Sequence, residues 1–193
     1  MGMRPISYST GQKVLHWTIA ALILAQVVIG ILIAQILKPG PVTDTFYEVH
    51  KSFGLTILAL ALVRLAIRLW RGAPPLVEGL PAWQRTAARA SHYALYALII
   101  IVPIIGWTAT STCCAPVKYF WTIDVTLPAN GGEDPMEASK PIFRIHRALA
   151  LVLAGLALVH AGAALHHHFV RRDDTLRRML GSSKSASQAA KPV

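Results

Sequence analysis

The chain has little cysteine, and the two cysteines it has are neighbours. Cys113 and Cys114 are the only ones among 193 residues, and no C-x-x-C spacing occurs. Such a pair excludes the disulfide framework of a small secreted domain and the spacing of a cysteine zinc site. We expect two small apolar residues at a helix interface. A vicinal disulfide or an accessory metal site are alternatives that the sequence leaves open.

Charge is also scarce, and negative charge most of all. Charged residues make up 15% of the chain, with nine acids against 19 lysines and arginines. Hydrophobic residues make up 54%, and the mean hydropathy of +0.48 excludes an ordinary soluble domain of this size. The net charge of +10 would suggest a nucleic-acid partner in a soluble protein. Here the basic residues flank long apolar segments, so nucleic-acid binding is excluded.

Four long apolar segments predict membrane-spanning helices. Each reaches the roughly 20 residues that cross about 30 Å of hydrocarbon. Backbone groups surrounded by lipid must pair within their own helix, so such segments are helical. The predicted spans cover about residues 15–37, 50–70, 92–111 and 142–170. We therefore predict an all-α membrane protein, with one four-helix transmembrane bundle over residues 1–180 and a disordered cytoplasmic tail at 181–193.

The basic residues also predict the orientation of the bundle. With both termini in the cytoplasm, 13 of the 19 lysines and arginines lie on the inner side and six on the outer side. Six of the nine acids share the outer side, so the asymmetry follows the positive-inside rule. The first apolar segment is too long for a signal peptide and is expected to be retained as a span. A multi-pass protein of the bacterial inner membrane is the simplest interpretation.

Four histidines lie in three of these spans, at two depths. A helix rises about 1.5 Å and turns about 100° per residue. His146 and His160 are therefore about 21 Å apart in depth and about 40° apart around the helix axis. His50 begins the second span on the outer side, level with His146, and His16 lies near the inner start of the first span. The spacing pairs His50 with His146 and His16 with His160.

These pairs are typical of haem ligation. Imidazole is the usual axial ligand of b-type haem, and each pair supplies rings from two helices. Small residues would leave room for the macrocycle; the candidates are Gly30, Gly54, Gly106, Gly155 and Gly162. Cations near each surface would pair with propionates; the candidates are Lys51, Arg144 and Arg147 outside and Lys13, Arg68 and Arg89 inside. Hydrogen-bonded packing histidines are an alternative, as is zinc, which needs tighter tetrahedral clustering.

The other histidines lie on the inner side. His92 begins the third span and could replace His16 or His160 as a ligand; a packing or quinone-side role is the alternative. His166, His167 and His168 form a run at the inner end of the fourth span. A run covers nearly all helix faces, so at most two of its members point inward. They are either interfacial residues or proton carriers at a quinone site, because histidine titrates near neutral pH.

Several stretches resemble the bacterial di-haem cytochrome b561 family of the inner membrane. They are His16-Trp17, residues 47–54, Val63-Arg64-Leu65, Ser91-His92-Tyr93, residues 103–106, Ile145-His146, His160, residues 166–169 and residues 173–179. The likeness covers about residues 5–180, and Cys113-Cys114 lies outside the family pattern. The resemblance implies two haem b groups on His16, His50, His146 and His160. It also implies electron flow between the periplasmic face and membrane quinone.

The leading functional hypothesis is a superoxide:ubiquinone oxidoreductase, as in one branch of the family. Outer cations, above all Lys51, Arg144 and Arg147, would steer the superoxide anion to the outer haem. Ubiquinone would be reduced on the inner side, near Arg71, His166 and His167. The alternative is an electron-transfer subunit for a partner dehydrogenase, a hydrogenase or a periplasmic redox protein, docked on the long loop at 113–141. A weaker third idea is a histidine-lined metal transporter.

Overall fold

The computed structural model describes residues 8–181, except residues 73, 78 and 130. Four long helices make up most of this part of the chain. The helices are α1 (Thr10–Ile31), α2 (Pro41–Arg71), α3 (Ala82–Cys113), α4 (Pro135–His166) and the short α5 (Arg177–Leu180). A single π-helical turn extends α1 over Leu32–Ile36 and another extends α4 over His167–Arg171. Two short strands, β1 (Lys118–Tyr119) and β2 (Ile123–Asp124), lie between α3 and α4.

Four of the helices are long and apolar enough to cross a membrane, which confirms the predicted fold class. They cover Thr10–Ile36, Pro41–Arg71, Ala82–Cys113 and Pro135–Arg171. Each predicted span falls on one of these helices, but the helices are longer because their polar first turns are also helical. Proline at the first position of α2 and of α4 favours this early start. The tail predicted at 181–193 lies outside the described residues, apart from Gly181.

The surface of the bundle is apolar, as a lipid environment requires. Large side chains such as Leu69, Leu158 and Val159 are more than two-thirds exposed. The fully buried positions between helices are held mainly by small residues, among them Ser52, Ala61 and Ala109. A water-soluble protein would not expose so large a continuous apolar surface.

Helix α4 packs on its neighbours unevenly. Its backbone packs closely on α3, while α1 and α3 both pack on α2. The backbone of α4 approaches α1 at only a few positions. Helix α4 is therefore held mainly by α3.

Because four spans alternate in direction, both described ends of the chain lie at one end of the bundle, which we call the inner end. The opposite, outer end is covered by residues 114–129 and 131–134, which we call the outer cap. Here β1 and β2 form an antiparallel pair, with Tyr119 opposite Ile123. The Phe120 amide donates to Ser52 Oγ (2.8 Å), and the Leu127 amide donates to Ser111 Oγ (3.0 Å). The long loop is therefore tied to α2 and α3.

At the inner end, the chain after α4 folds back over the bundle. This segment, residues 172–181, is called the inner strap. The Trp17 indole on α1 donates to the Met179 carbonyl (3.1 Å), and the Arg178 guanidinium donates to the Pro75 carbonyl (2.7 Å). The strap thus joins the start of α1 to the connection between α2 and α3.

The two cysteines are bonded to each other. Cys113 ends α3 and forms a disulfide with Cys114, which is exposed at the start of the outer cap. The expectation of two apolar packing residues is therefore wrong, because the helix ends at this point instead of continuing through an interface. The alternative of a vicinal disulfide is the one that the structure shows.

Candidate functional site

The outer histidine pair consists of His50 on α2 and His146 on α4. Their ring centroids lie 6.2 Å apart. A metal–imidazole bond is about 2 Å long, and about 1 Å more separates the nitrogen from the ring centre, so two imidazoles on one iron have centroids about 6 Å apart. The rings come from different helices and have the separation that bis-histidine ligation requires.

Glycines lie against both rings of this pair, and at one of them a side chain would not fit. A Cβ atom at Gly106 on α3 would come within 2.8 Å of His146 Cε1, and one at Gly30 on α1 would lie 3.5 Å from His50 Cε1. His146 Nδ1 bonds to the Val102 carbonyl (3.0 Å), one turn before Gly106. A side chain at position 106 would block this approach. With Nδ1 engaged by a carbonyl, the other ring nitrogen is left for a metal.

The inner histidine pair consists of His16 on α1 and His160 on α4. Their ring centroids lie 6.4 Å apart, which again fits two imidazoles on one iron. His92 on α3 lies against His160 with its centroid 5.2 Å away, closer than shared ligation would place it. His92 is therefore better placed as a packing partner of His160 than as a second ligand. On the same side of the bundle, the Arg64 guanidinium on α2 donates to the Gln12 carbonyl on α1 (2.6 Å), one turn before His16.

The two pairs lie at different depths. His146 and His160 are both on α4, about 21 Å apart along its axis. Gly155, between them in sequence, lies about 180° around α4 from His146 and about 140° from His160, so it faces away from both pairs. In the described part of the chain, no three His, Cys, Asp or Glu residues cluster as a single metal ion such as zinc would need. The structure therefore places two separate histidine pairs at two depths of the bundle.

The chain matches the family described as prokaryotic cytochrome b561 over residues 7–182. The chain belongs to this family. Cytochrome b561 homolog 2 of Escherichia coli (strain K12) is 31% identical over 186 residues, covering 94% of this chain and 95% of that protein. The probable superoxide oxidase CybB of Yersinia pestis is 27% identical over 173 residues, covering 90% and 95%. Cytochrome b562 of Cereibacter sphaeroides is 31% identical over 180 residues, covering 90% and 94%.

Membership of the cytochrome b561 family confirms several predictions. The chain is a multi-pass inner-membrane b-type cytochrome, and its role is electron transfer. The family binds b-type haem. The ring separations and the clearance beside Gly106 show that the residues present fit such a group. The assignment of particular histidines to particular haems stays a prediction.

Lys51, one of the predicted outer cations, is paired with an acid. Lys51 forms an ion pair with Glu48, one turn earlier on α2. Lys140 on α4 is paired in the same way with Glu137. These acids neutralise the lysines locally, and the outer end as a whole has six lysines and arginines against six acids. Attraction of an anion there therefore depends on where the remaining cations lie.

The two predicted outer arginines are exposed, but they point in different directions. Arg144 precedes His146 by two residues, which places it about 200° away around α4. Arg147 follows His146 and lies about 100° away. Arg147 is therefore the better placed of the two to act on an anion approaching the outer pair.

On the inner side, the structure brings His167 to an acidic residue that the sequence prediction did not include. His167 Nδ1 lies 2.6 Å from Asp173 Oδ2 in the inner strap. Asp173 Oδ1 also accepts the Thr175 amide (2.9 Å). Burial raises the pKa of Asp173, but the hydrogen bonds from His167 and Thr175 outweigh it and hold that pKa below its usual range. The D-x-T spacing of the strap was the signal that could have revealed this pairing.

The other predicted quinone-side residues lie apart from this contact. Arg71 is exposed at the end of α2, with its guanidinium 5.5 Å from the centre of the Trp70 ring. His166 is exposed, while His167 is half-buried. Of the three, His167 is the one that the fold holds in a defined orientation.

One polar residue beside the outer pair was missed. Gln26 lies inside the apolar run of α1, and its Nε2 donates to the His50 carbonyl (2.8 Å). A polar side chain deep in a membrane span is costly and usually has a role. That rule could have singled out Gln26 in the sequence.

Proposed function

We propose that the protein is a superoxide:ubiquinone oxidoreductase with two haem b groups, one at each histidine pair. His50 and His146 would hold the outer haem, and His16 and His160 the inner one. The observation that carries the proposal is the two ring separations of 6.2 and 6.4 Å at two depths of one bundle. When bound, haem supplies one-electron transfer, while the protein sets ligation, potential and access.

The bundle would be oriented with both termini in the cytoplasm, with residues 1–180 as its transmembrane domain. The excess of lysine and arginine at the inner end supports this orientation. The outer pair would then lie near the periplasmic face and the inner pair near the cytoplasmic one.

Superoxide would give up its electron at the outer end. Two superoxide anions are oxidised to two molecules of oxygen for each ubiquinone that takes up two electrons and two protons. The protein's part at this end is electrostatic: Arg147, and more weakly Arg144, would attract the anion. The predicted contribution of Lys51 is weakened by its ion pair with Glu48. The name of the relative from Yersinia pestis supports this choice of donor.

Ubiquinone would be reduced at the inner end, near Arg71, His166 and His167. Reduction of a quinone consumes protons, and imidazole is the side chain best suited to deliver them near neutral pH. His167 Nδ1 lies 2.6 Å from Asp173 Oδ2, which fixes the orientation of the ring. His167 is thus the proposed proton donor, and Asp173 holds it in place.

Rapid mixing tests the proposal directly. Oxidised protein mixed with superoxide should show haem reduction within milliseconds, followed by reoxidation when a soluble ubiquinone analogue is added. The His146→Ala variant, which should lack the outer haem, serves as the control and should react slowly. Absence of millisecond reduction in the native protein would contradict superoxide as the donor.

The second candidate is an electron-transfer subunit that receives electrons from a partner dehydrogenase, a hydrogenase or a periplasmic redox protein. The outer cap favours it, because Trp121 and Ile123 are 52% and 60% exposed at its tip. Exposed aromatic and aliphatic side chains of this kind are common at protein interfaces. Haem reduction in native membranes by hydrogen or by a dehydrogenase substrate, with none by superoxide, would select this candidate.

A further inference from the structure

Two buried polar atoms beside the outer pair have no hydrogen-bond partner. They are His50 Nδ1 and Gln26 Oε1. A buried polar atom without a partner costs about 1–3 kcal/mol, so such atoms normally find one. One of these two is a carbonyl oxygen that only accepts. The other carries a proton when the opposite ring nitrogen binds a metal.

The two residues already touch. Gln26 Nε2 donates to the backbone carbonyl of His50 (2.8 Å), which holds the amide beside the base of the imidazole. Gly54 lies one turn after His50 on α2, and a Cβ there would be 3.4 Å from Gln26 Nε2. Gly30 lies one turn after Gln26 on α1 and faces the His50 ring. The two glycines therefore lie at contact distance from the amide and from the ring, which places both groups between α1 and α2.

The outer pair is incomplete without such a contact. His146 has an acceptor for its Nδ1 in the Val102 carbonyl. Metal-binding histidines almost always donate their second ring N–H to an acceptor, which fixes the ring and raises the basicity of the ligand nitrogen. His50 lacks this acceptor, and Gln26 Oε1 is the unpaired acceptor next to it.

We propose that Gln26 is the positioning residue of His50. Its Oε1 accepts the Nδ1–H proton of His50, directly or across one buried water molecule, while its Nε2 keeps the bond to the His50 carbonyl. The inference rests on the proposed outer haem site, with His50 as an axial ligand. Its effect is on the haem's reduction potential: a ligand with a hydrogen-bonded Nδ1–H is more basic and favours ferric iron.

Redox titration of purified protein, followed by visible absorbance, tests this. The outer haem is identified as the component missing from His50→Ala. Gln26→Met, which removes the acceptor and keeps the volume, should shift the outer potential to more positive values and leave the inner potential unchanged. Gln26→Glu keeps an acceptor oxygen at the same place and should leave the outer potential at or below the native value. Gln35→Met, on an exposed turn of the same helix, is the matched control.

Three results would overturn the inference. The outer potential could be unchanged in Gln26→Met, both potentials could shift equally, or both Gln26 variants could lose both haems alike, which would assign Gln26 to helix packing. If Gln26→Met loses only the outer haem while Gln26→Glu retains it, the inference is supported. The titration uses neither superoxide nor quinone, so its outcome is independent of the proposed electron donor and acceptor.

Discussion

At the scale of single residues, the outer site depends on a position without a side chain as much as on its histidines. Gly106 has no side chain, and this allows His146 to lie over α3 and reach the Val102 carbonyl. The four histidines and their pairing could be predicted from sequence, because depth and azimuth follow from helix geometry. The roles of Gln26 and Val102 could not, because they depend on which helix faces meet.

Replacing Gly106 by alanine should disturb the outer site. The new Cβ would lie 2.8 Å from His146 Cε1, a distance that forces the ring or the helix to move. We expect haem affinity at the outer site to fall by roughly 10- to 100-fold. Measurement of haem per chain by the pyridine haemochrome assay checks this.

Gly155→Ala is the matched control, because Gly155 is on the same helix as His146 but faces away from both histidine pairs, and no protein atom lies within 4 Å of the added Cβ. It should keep both haems. Equal haem content and equal spectra in Gly106→Ala and the native protein would contradict the assigned contact.

At the scale of elements, hydropathy predicts the four spans well, but it does not predict what closes the two ends of the bundle. The strands of the outer cap are two residues long each, too short for a sequence pattern. They are held by hydrogen bonds to Ser52 and Ser111, which are distant in sequence. The inner strap likewise depends on Trp17, far from it along the chain.

Removing the hydroxyl of Ser52 should loosen the outer cap. Ser52 is fully buried and accepts the Phe120 amide, so Ser52→Ala leaves that N–H without a partner. The cost is about 1–3 kcal/mol. We expect a lower Tm and faster amide exchange in residues 117–126. Thr45→Ala, at an exposed position on the same helix, is the control. Equal amide exchange of residues 117–126 in the two variants would contradict the role of the Ser52 hydrogen bond.

The hydrogen bond between Asp173 and His167 predicts that the thermal stability of the protein depends on pH. Because the pKa of Asp173 is lowered in the folded state, the stabilisation is present above the ordinary carboxyl pKa of about 4 and is lost as pH falls through the folded value. Asp173→Asn should therefore lower Tm by a few degrees at pH 7, and the difference should shrink on acidification.

Thermal unfolding in detergent at several pH values measures this effect. Asp174→Asn is the control, since Asp174 contacts Arg177 at 3.6 Å near the surface. A Tm difference for Asp173→Asn that does not change with pH would contradict the charged contact.

At the scale of the whole molecule, most lysines and arginines lie at the inner end and most acids at the outer end. The sequence predicts the excess of cations at the inner end, but not the pairing of Lys51 and Lys140 with acids at the outer end. Glu48 and Glu137 precede the predicted spans, and the pairs form because α2 and α4 begin earlier, at Pro41 and Pro135. The outer field is therefore weaker than the count of lysines and arginines implies.

This charge distribution predicts how superoxide should respond to salt. Raising ionic strength should slow the reaction with the outer haem, because screening weakens long-range attraction. Arg147→Gln should lower the second-order rate constant by about twofold at low salt, and Arg144→Gln by less, because Arg144 faces away from the pair. Stopped-flow rates as a function of ionic strength check both. Rates independent of salt, or a larger effect for Arg144, would contradict this placement.

The central claim is that two haems are held by two histidine pairs at different depths, and haem content tests it most directly. The native protein should bind two haems per chain. His50→Ala and His146→Ala should each retain one, and the double variant should retain that same one, with an unchanged spectrum and potential. If the double variant retained none, or the two single variants lost spectroscopically different haems, the pairing would be wrong.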